Sequence, residues 1–349
     1  MICSPEITIG NYKAGGRNPC LIIAEIGPNH DGSIERAMEL IDMAADCGCD
    51  GVKFQYHIAD EEIADRTSII PWSGENRYDF VKNVQEFTPQ EHALLKDKVK
   101  EKGLIYIVSP FNLKAVDILI NIDLDAFKIA SGEITNLELI KKCLFTNKPV
   151  ILSSGMSTID EIDLAIKAAS ETGNNKIILL QCASEYPTRY EDMNLKTIYS
   201  FLERYHIPVG LSDHNLDIIP TISSVALGCS MIEKHFTDDK TRSGPDHAVS
   251  LEPKEMNMLI EGVRNLEKAL GDGDKRLGPN AEKTRQAFNN SIVCAVHIPA
   301  DTIIEYNHLC LKKPGTGLPP SALDKVIGMK TKRDLNKSTI VKWEDFYEM

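Results

Sequence analysis

The chain has no Cys-x-x-Cys pair, no excess of basic residues, no internal repeat and no low-complexity tract. None of its apolar runs approaches the ~20 residues needed to span a bilayer. The first six residues, Met1-Ile-Cys-Ser-Pro-Glu6, lack a basic stretch followed by an apolar one, so no signal peptide is expected. A formal net charge of -12 argues against nucleic acid or an anionic membrane as partner, although local lysines can still serve an anionic substrate. Nine cysteines, an odd number, lie scattered. Cys182, Cys229 and Cys294 sit in apolar surroundings, which suits free thiols in a reducing compartment. The expectation is a soluble, cytoplasmic protein.

What is present is a full-sized core. The 349 residues are 42% hydrophobic and 26% charged, ordinary values for one large domain or two. Eight short apolar runs have strand character: Leu21–Ala24, Gly51–Phe54, Leu104–Val108, Ala126–Ile129, Val150–Leu152, Lys176–Leu180, Pro208–Leu211 and Ser230–Ile232. Helical periodicity fills the gaps. Ser33 to Cys47 puts Ala37, Leu40, Ile41 and Ala44 on one stripe. Thr88-Pro-Gln-Glu91 reads as a capping box opening a helix to about Gly103. Ser157-Thr-Ile-Asp160 starts another that ends near Gly173, and Leu195–Tyr205, Pro220–Leu227 and Pro253–Leu270 complete the set. Buried strands joined by connections too long for hairpins predict parallel pairing and a (β/α)8 barrel. A doubly wound dinucleotide-binding sheet is the alternative, but Gly-x-Gly-x-x-Gly is missing after the first strand.

Nearly every predicted strand ends in polar residues: Glu25; Lys53 and Gln55; Ser109; Lys128, Ser131 and Glu133; Ser153 and Ser154; Gln181; Ser212 and His214; Glu233 and His235. A barrel gathers the C-terminal ends of its strands around one pocket. Polar strand ends alone would follow from loops beginning there, but lysine inside Val52-Lys53-Phe54 and Phe127-Lys128-Ile129 does not. Lysines and serines suit a phosphate and a carboxylate. His214 and His235 suit a divalent metal that polarises a carbonyl oxygen. Glu25 and Glu133 remain to move protons or stabilise positive charge. Asp213 either braces His214 or anchors its loop. Together these parts describe addition of a phosphorylated carbon nucleophile to an activated aldehyde. The long segment His57 to Phe87, with Pro71-Trp-Ser-Gly-Glu-Asn-Arg77, reads as a lid or a substrate-contacting loop.

Ile23-Ala-Glu-Ile-Gly-Pro-Asn-His-Asp-Gly32, Val52-Lys-Phe-Gln55, Lys128-Ile-Ala-Ser-Gly-Glu133, Leu152-Ser-Ser-Gly-Met156, Tyr186-Pro-Thr188, Gly210-Leu-Ser-Asp-His214, Glu233-Lys-His-Phe-Thr237 and Ser243-Gly-Pro-Asp246 together resemble the sialic acid synthase family. Lys312-Lys-Pro-Gly-Thr-Gly317 resembles the small SAF (antifreeze-like) domain of the same enzymes. The resemblance implies a barrel over 1–270, a linker over 271–287 and an SAF domain over 288–349. It implies phosphoenolpyruvate and an N-acylated amino sugar as substrates, and N-acetylneuraminate synthase as the activity, with legionaminate synthase as the alternative. A divalent metal, manganese first and magnesium or cobalt after it, would sit on His214 and His235. Lys53, Lys128, Ser131, Ser153 and Ser212 would grip phosphoenolpyruvate, while Gln55, Glu133, Ser184, Tyr186 and Asp246 would contact the sugar. Carbon 3 of phosphoenolpyruvate would attack the aldehyde, water would add at carbon 2, and phosphate would leave with C–O cleavage.

The family resemblance further implies a domain-swapped homodimer in which the SAF domain donates a basic residue to the partner's sugar. This chain has Lys313-Pro-Gly where many relatives have Arg-Pro-Gly, and lysine lacks the two-pronged geometry of arginine. Ser184 stands where some relatives have asparagine. Two other classes compete: a metal-free Schiff-base aldolase on Lys53 or Lys128, and a non-catalytic carbohydrate- or ice-binding scaffold. At about 60 residues, the C-terminal segment is expected to have little core of its own, with short β-prone pieces at Ser291–Val296, Cys310–Lys312 and Thr339–Val341.

Overall fold

The computed structural model describes residues 4–71 and 73–347. Met1 to Cys3, which belong to the N-terminal reading above, and Trp72 of the predicted loop lie outside the described residues. The chain divides into two compact units, Met1–Gly271 and Asp272–Met349.

The first unit opens with a hairpin, β1 (Ile7–Ile9) and β2 (Tyr12–Ala14), paired antiparallel. Eight strands then close into a barrel: β3 (Leu21–Glu25), β4 (Gly51–Tyr56), β5 (Ile105–Pro110), β6 (Ala126–Ile129), β7 (Val150–Ser153), β8 (Ile177–Cys182), β9 (Val209–Asp213) and β10 (Met231–His235). Each pairs in parallel with its sequence neighbours, and β10 returns to β3 to seal the ring. The eight predicted strands are all found, because strands covered on both faces read as continuous apolar runs.

Two core layers follow from the alternation of side chains along each strand. Inward-facing Leu21, Ile23, Ile105, Ile107, Ala126, Ile151, Ile178, Leu180 and Met231 form one cluster with Ile7, Ile9 and Ala14 of the hairpin. The hairpin thus packs on the barrel's inner core at the strands' N-terminal halves, leaving the other end for chemistry. Outward-facing residues such as Ile22, Ala24, Val52, Phe54 and Tyr106 meet the helices.

Local signals set the helix starts. Ile34–Cys47 is capped by Ser33, whose side chain accepts from the Arg36 N–H. Pro89–Glu101 carries the predicted Thr88/Glu91 capping box. The helices Leu113–Leu119 and Leu137–Phe145 follow, and Ile159–Ser170 is capped by Thr158 with Glu161 rather than by Ser157. Only the later position puts a glutamate three residues on, where it can return a bond to the cap. Pro253–Leu270 runs as expected, with Met256, Leu259 and Val263 buried. No helix among the described residues is long and apolar enough to cross a membrane.

In the second unit, the helix Ala281–Phe288 takes up the end of the segment read as linker, 271–287, and reaches the first residue of the expected SAF domain. Strands β11 (Ser291–Cys294) and β12 (Leu309–Lys312) pair antiparallel, and the third β-prone piece contributes a single bridge, Val293 to Ile340. The expectation of little core is corrected here. Ile292, Cys294, Ile298, Ile304, Leu309, Leu318, Ala322, Val326, Met329, Leu335, Val341 and Phe346 form their own buried cluster. Apolar residues drawn from the full length of the segment achieve what no single run suggests.

Candidate active site

Charged side chains are buried at the C-terminal ends of the barrel strands. Lys53 of β4 places its ammonium 3.0 Å from Glu25 Oε2 of β3 and 3.3 Å from Glu233 Oε1 of β10. Lys128 of β6 reaches Glu233 Oε2 at 3.2 Å, and Ser212 Oγ of β9 donates to Glu233 Oε1 at 3.0 Å. All four charged groups are at least 94% buried. Glu233 is therefore a shared counter-ion. Burial opposes its charge, but the two ammoniums hold its carboxyl well below the usual range. Burial likewise opposes the Lys53 charge, and Glu233 and Glu25 outweigh it, so that ammonium is strengthened. Lys128 shares its carboxylate with Lys53, and burial prevails to lower it. Burial raises Glu25, partly offset by Lys53. Two positive and two negative charges thus balance in a site closed to solvent, primed for an anion that would re-pair the lysines.

Beside this cluster lies a cradle of hydroxyls. Ser131 Oγ donates to Ser153 Oγ (3.1 Å) and accepts the Gly155 N–H (3.2 Å). Cys182 Sγ stands 3.6 Å from Ser131 Oγ and 3.7 Å from Ser184 Oγ. A Cβ at residue 155 would collide with Ser184 Oγ and lie 2.8 Å from both Cys182 Sγ and Ser131 Oγ, so glycine there keeps the cradle open. Burial disfavours the Cys182 thiolate, but His214 and the neighbouring donors bring its pKa down to about 6.

The histidines form the third part. His235 follows Glu233 by two residues on the same face of β10 and pairs in register with Glu25. Its ring centroid is 5.2 Å from that of His214. Tyr186 covers His214 at 4.1 Å and meets His235 edge-on at 5.9 Å. His214 Nδ1 lies 3.0 Å from Ala183 O, which fixes its tautomer and leaves Nε2 for a ligand. His235 Nδ1 is buried without a hydrogen bond and faces Asp246 Oδ2 at 3.4 Å. Burial, reinforced by His214, keeps the His235 ring neutral. Burial, reinforced by Glu25, pushes the Asp246 carboxyl up to about 7. Two buried imidazoles with an orphaned ring nitrogen fit a divalent ion with open coordination positions. No cluster of three or more His, Cys, Asp or Glu suited to a metal occurs among the described residues.

Glu25, Lys53, Gln55, Lys128, Ser131, Ser153, Ser184, Tyr186, Ser212, His214, His235 and Asp246 therefore all stand at this end of the barrel. Glu133 is half-buried in the short helical turn Ser131–Glu133, where it accepts from Asn136 Nδ2 at 3.1 Å. Burial raises its carboxyl, and its further electrostatic neighbours are Glu62, Arg77 and His57 rather than Glu25. Lys313 belongs to the second unit, with its ammonium 5.4 Å from the Phe288 ring centroid. Asp213 faces outward and anchors its loop, accepting from the Asn215 N–H at 2.8 Å and from Thr221 Oγ. Two functional features escaped the sequence reading. Glu233 was legible as lying on the His235 face, but its place between two lysines needs three dimensions. Gly155 stood within a quoted motif, and nothing local marks it as the floor of a cradle.

A closed parallel barrel with charged, hydroxylated and imidazole groups gathered at the C-terminal ends of its strands has the layout of a barrel enzyme's active site. The chain belongs to the NeuB family, whose model matches residues 40–275, and residues 289–346 match the SAF domain. It is similar to the N,N'-diacetyllegionaminic acid synthase of Campylobacter jejuni serotype O:2, with 36% identity over 92% of this chain and 98% of the relative. It is also similar to the human N-acetylneuraminate-9-phosphate synthase, with 33% identity over 93% and 92%. Among solved structures, the N-acetylneuraminic acid synthetase of Leptospira borgpetersenii serovar Hardjo-bovis, crystallised with citrate, superposes with a TM-score of 0.75 at 34% identity. That match covers 81% of this chain and 95% of the other. The chain is thus an enzyme of the nonulosonate synthase family.

Proposed function

We propose that the chain condenses phosphoenolpyruvate with the open-chain form of an N-acylated amino sugar and water, giving a nonulosonate and phosphate. The observation that carries this reading is the pair of buried ammoniums held on one carboxylate, beside a hydroxyl cradle and a histidine pair. Lys53 and Lys128 would exchange part of their hold on Glu233 for the anionic groups of phosphoenolpyruvate, and Ser131, Ser153, Ser212 and the Gly155 N–H would orient it. Carbon 3 then faces the aldehyde and forms the new C–C bond. The cation left at carbon 2 lies among Glu25 and Glu233, which stabilise it. Water adds there, its proton balancing the one taken by the aldehyde oxygen, and phosphate leaves as the C–O bond breaks. Glu25, raised by burial, is suited to hold or pass a proton. His214 and His235 would hold a divalent ion, manganese as first choice, which supplies Lewis-acid polarisation of the aldehyde oxygen. Tyr186 and Asp246 would contact the sugar.

For the acceptor we favour N-acetylmannosamine, which makes the activity N-acetylneuraminate synthase. The 6-deoxy-2,4-diacetamido sugar is the second reading, supported by two legionaminic acid synthases among the relatives, at 34% and 36% identity. The test is phosphoenolpyruvate labelled with heavy oxygen at the bridging position, with both products analysed by mass spectrometry. The proposal expects the label in phosphate and a product heavier than the sugar by a pyruvate unit. Label retained by the organic product, or trapping of pyruvate on Lys128 by borohydride in the presence of chelator, would overturn it in favour of another mechanism.

A further inference from the structure

The proposed reaction leaves unexplained why the connection from β4 to the helix Pro89–Glu101 is so long, and why both its ends are buried. Both ends converge on one side chain, Gln55. Gln55 Nε2 donates to Glu25 Oε1 at 2.8 Å. Its Oε1 lies 2.9 Å from His57 Nε2 and accepts from Gln85 Nε2 at 3.0 Å. His57 opens the connection, and Gln85 ends its five-residue π-helical stretch Val81–Gln85. His57 Nδ1 in turn lies 3.0 and 3.1 Å from the two oxygens of Glu62, and Phe111 stacks on the ring with centroids 4.0 Å apart. Gly27 makes room for this arrangement: at its φ of +46° a Cβ would sit 2.8 Å from Glu25 Oε1 and 3.3 Å from Gln55 Nε2.

Donor and acceptor bookkeeping then decides a tautomer. Glu25, paired to Lys53, offers only acceptors, so the Gln55 amide must turn its NH2 toward it. The Gln55 oxygen is left to face His57, which must therefore carry a proton on Nε2. Glu62 acting alone would select the opposite tautomer, with the proton on Nδ1. We propose that His57 is a positioning residue for the reaction. Its Nε2–H, together with Gln85, locks the Gln55 amide so that Glu25 is held against Lys53. Glu62, with its two oxygens 3.0 and 3.1 Å from Nδ1, holds the other side of the ring. The groups facing this ring are Glu62, Gln55 and Phe111, with Glu133, His30 and His92 further off. The long connection becomes the clamp on the site's deepest carboxylate.

The kinetic consequence rests on the proposed reaction, whereas the tautomer does not. Nitrogen NMR of the full chain with labelled histidine reads the tautomer directly, the His57 signal being assigned by its loss in His57→Gln. A protonated Nε2 at neutral pH is expected; a ring protonated on Nδ1 alone would overturn the proposal. In steady-state kinetics, His57→Asn keeps an amide near Nδ1 but removes the donor to Gln55. It should lower kcat about 10- to 100-fold while leaving the KM for phosphoenolpyruvate within about twofold. His57→Gln, which places an amide nitrogen near Nε2, should recover most of that loss. Adding His57→Asn to Gln55→Ala should cost nothing further; additive losses would show that His57 acts elsewhere. Failure of the wild-type chain to turn over any amino sugar would defeat the proposed reaction and leave the NMR result to judge His57.

Discussion

Two buried lysine–carboxylate arrangements meet at β10 and face opposite ways. Lys234 of β10 points outward and meets Asp213 of β9 at 2.8 Å. Asp213 is further satisfied by Thr221 and the Asn215 N–H, and Lys234 also donates to Asn215 O. One residue away on β10, Glu233 points inward and is shared by Lys53 and Lys128. The outer pair is saturated by its own loop, as a structural ion pair must be. The inner set has two cations on one carboxylate and a hydroxyl cradle beside it, so an incoming anion has partners waiting. Burial alone does not separate the two; the bookkeeping of partners does.

The largest effect is expected at the histidines. His214→Ala or His235→Ala is expected to abolish metal-dependent turnover while the circular-dichroism spectrum and melting temperature stay near wild type. A fully active variant would remove both from the ligand set. The same substitution at two lysines sharpens the contrast. Lys128→Met should cut kcat/KM by about 10²–10³ with a smaller loss of stability than at Lys234, because Lys53 still pairs Glu233. Lys234→Met strands Asp213 as a buried unpaired charge and should cost about 3–5 kcal/mol in urea unfolding, with the folded fraction still turning over. A smaller effect is expected at Gly155→Ala, where crowding of the cradle by about 1–3 kcal/mol should appear as a KM for phosphoenolpyruvate raised about tenfold or more, with kcat less affected.

A pH-dependent effect concerns the layer outside the barrel. His30 and His92 are buried and pushed by desolvation to about 3, His92 Nδ1 lying 2.8 Å from the Tyr106 hydroxyl. Both rings are neutral in the folded chain, so unfolding takes up protons below the ordinary imidazole value of about 6.5. Stability is therefore full above that value and falls as the pH drops toward about 3, by at most about 1.4 kcal/mol per pH unit for each ring. Urea midpoints across that range should slope less steeply in His92→Gln than in wild type.

The barrel was legible because eight parallel strands covered on both faces must be apolar throughout, and Lys53 and Lys128 stood out against that background. The hairpin β1–β2 was not, since three-residue strands show no period long enough to read. The cap at Thr158 was displaced by one residue from the expected Ser157 because the returning glutamate, not the hydroxyl, decides the position. Glu25, Ser131, Ser153, Ser212 and the two histidines could be collected by strand-end position alone. The relations among them could not: Glu233 as shared counter-ion, Gly155 as cradle floor and His57 as clamp depend on contacts between strands and loops far apart in sequence. The second unit hid its core for the same reason, its apolar residues being scattered among prolines and turns.

The proposed condensation is tested most directly by phosphate release. Phosphate release from phosphoenolpyruvate would be followed with manganese, using N-acetylmannosamine or its 6-deoxy-2,4-diacetamido analogue, with and without chelator. Release with N-acetylmannosamine that chelator removes and manganese restores is the predicted result. Release with the diacetamido sugar alone would keep the chemistry and change the acceptor. No release with either sugar from folded protein, or release that chelator leaves untouched, would contradict the account.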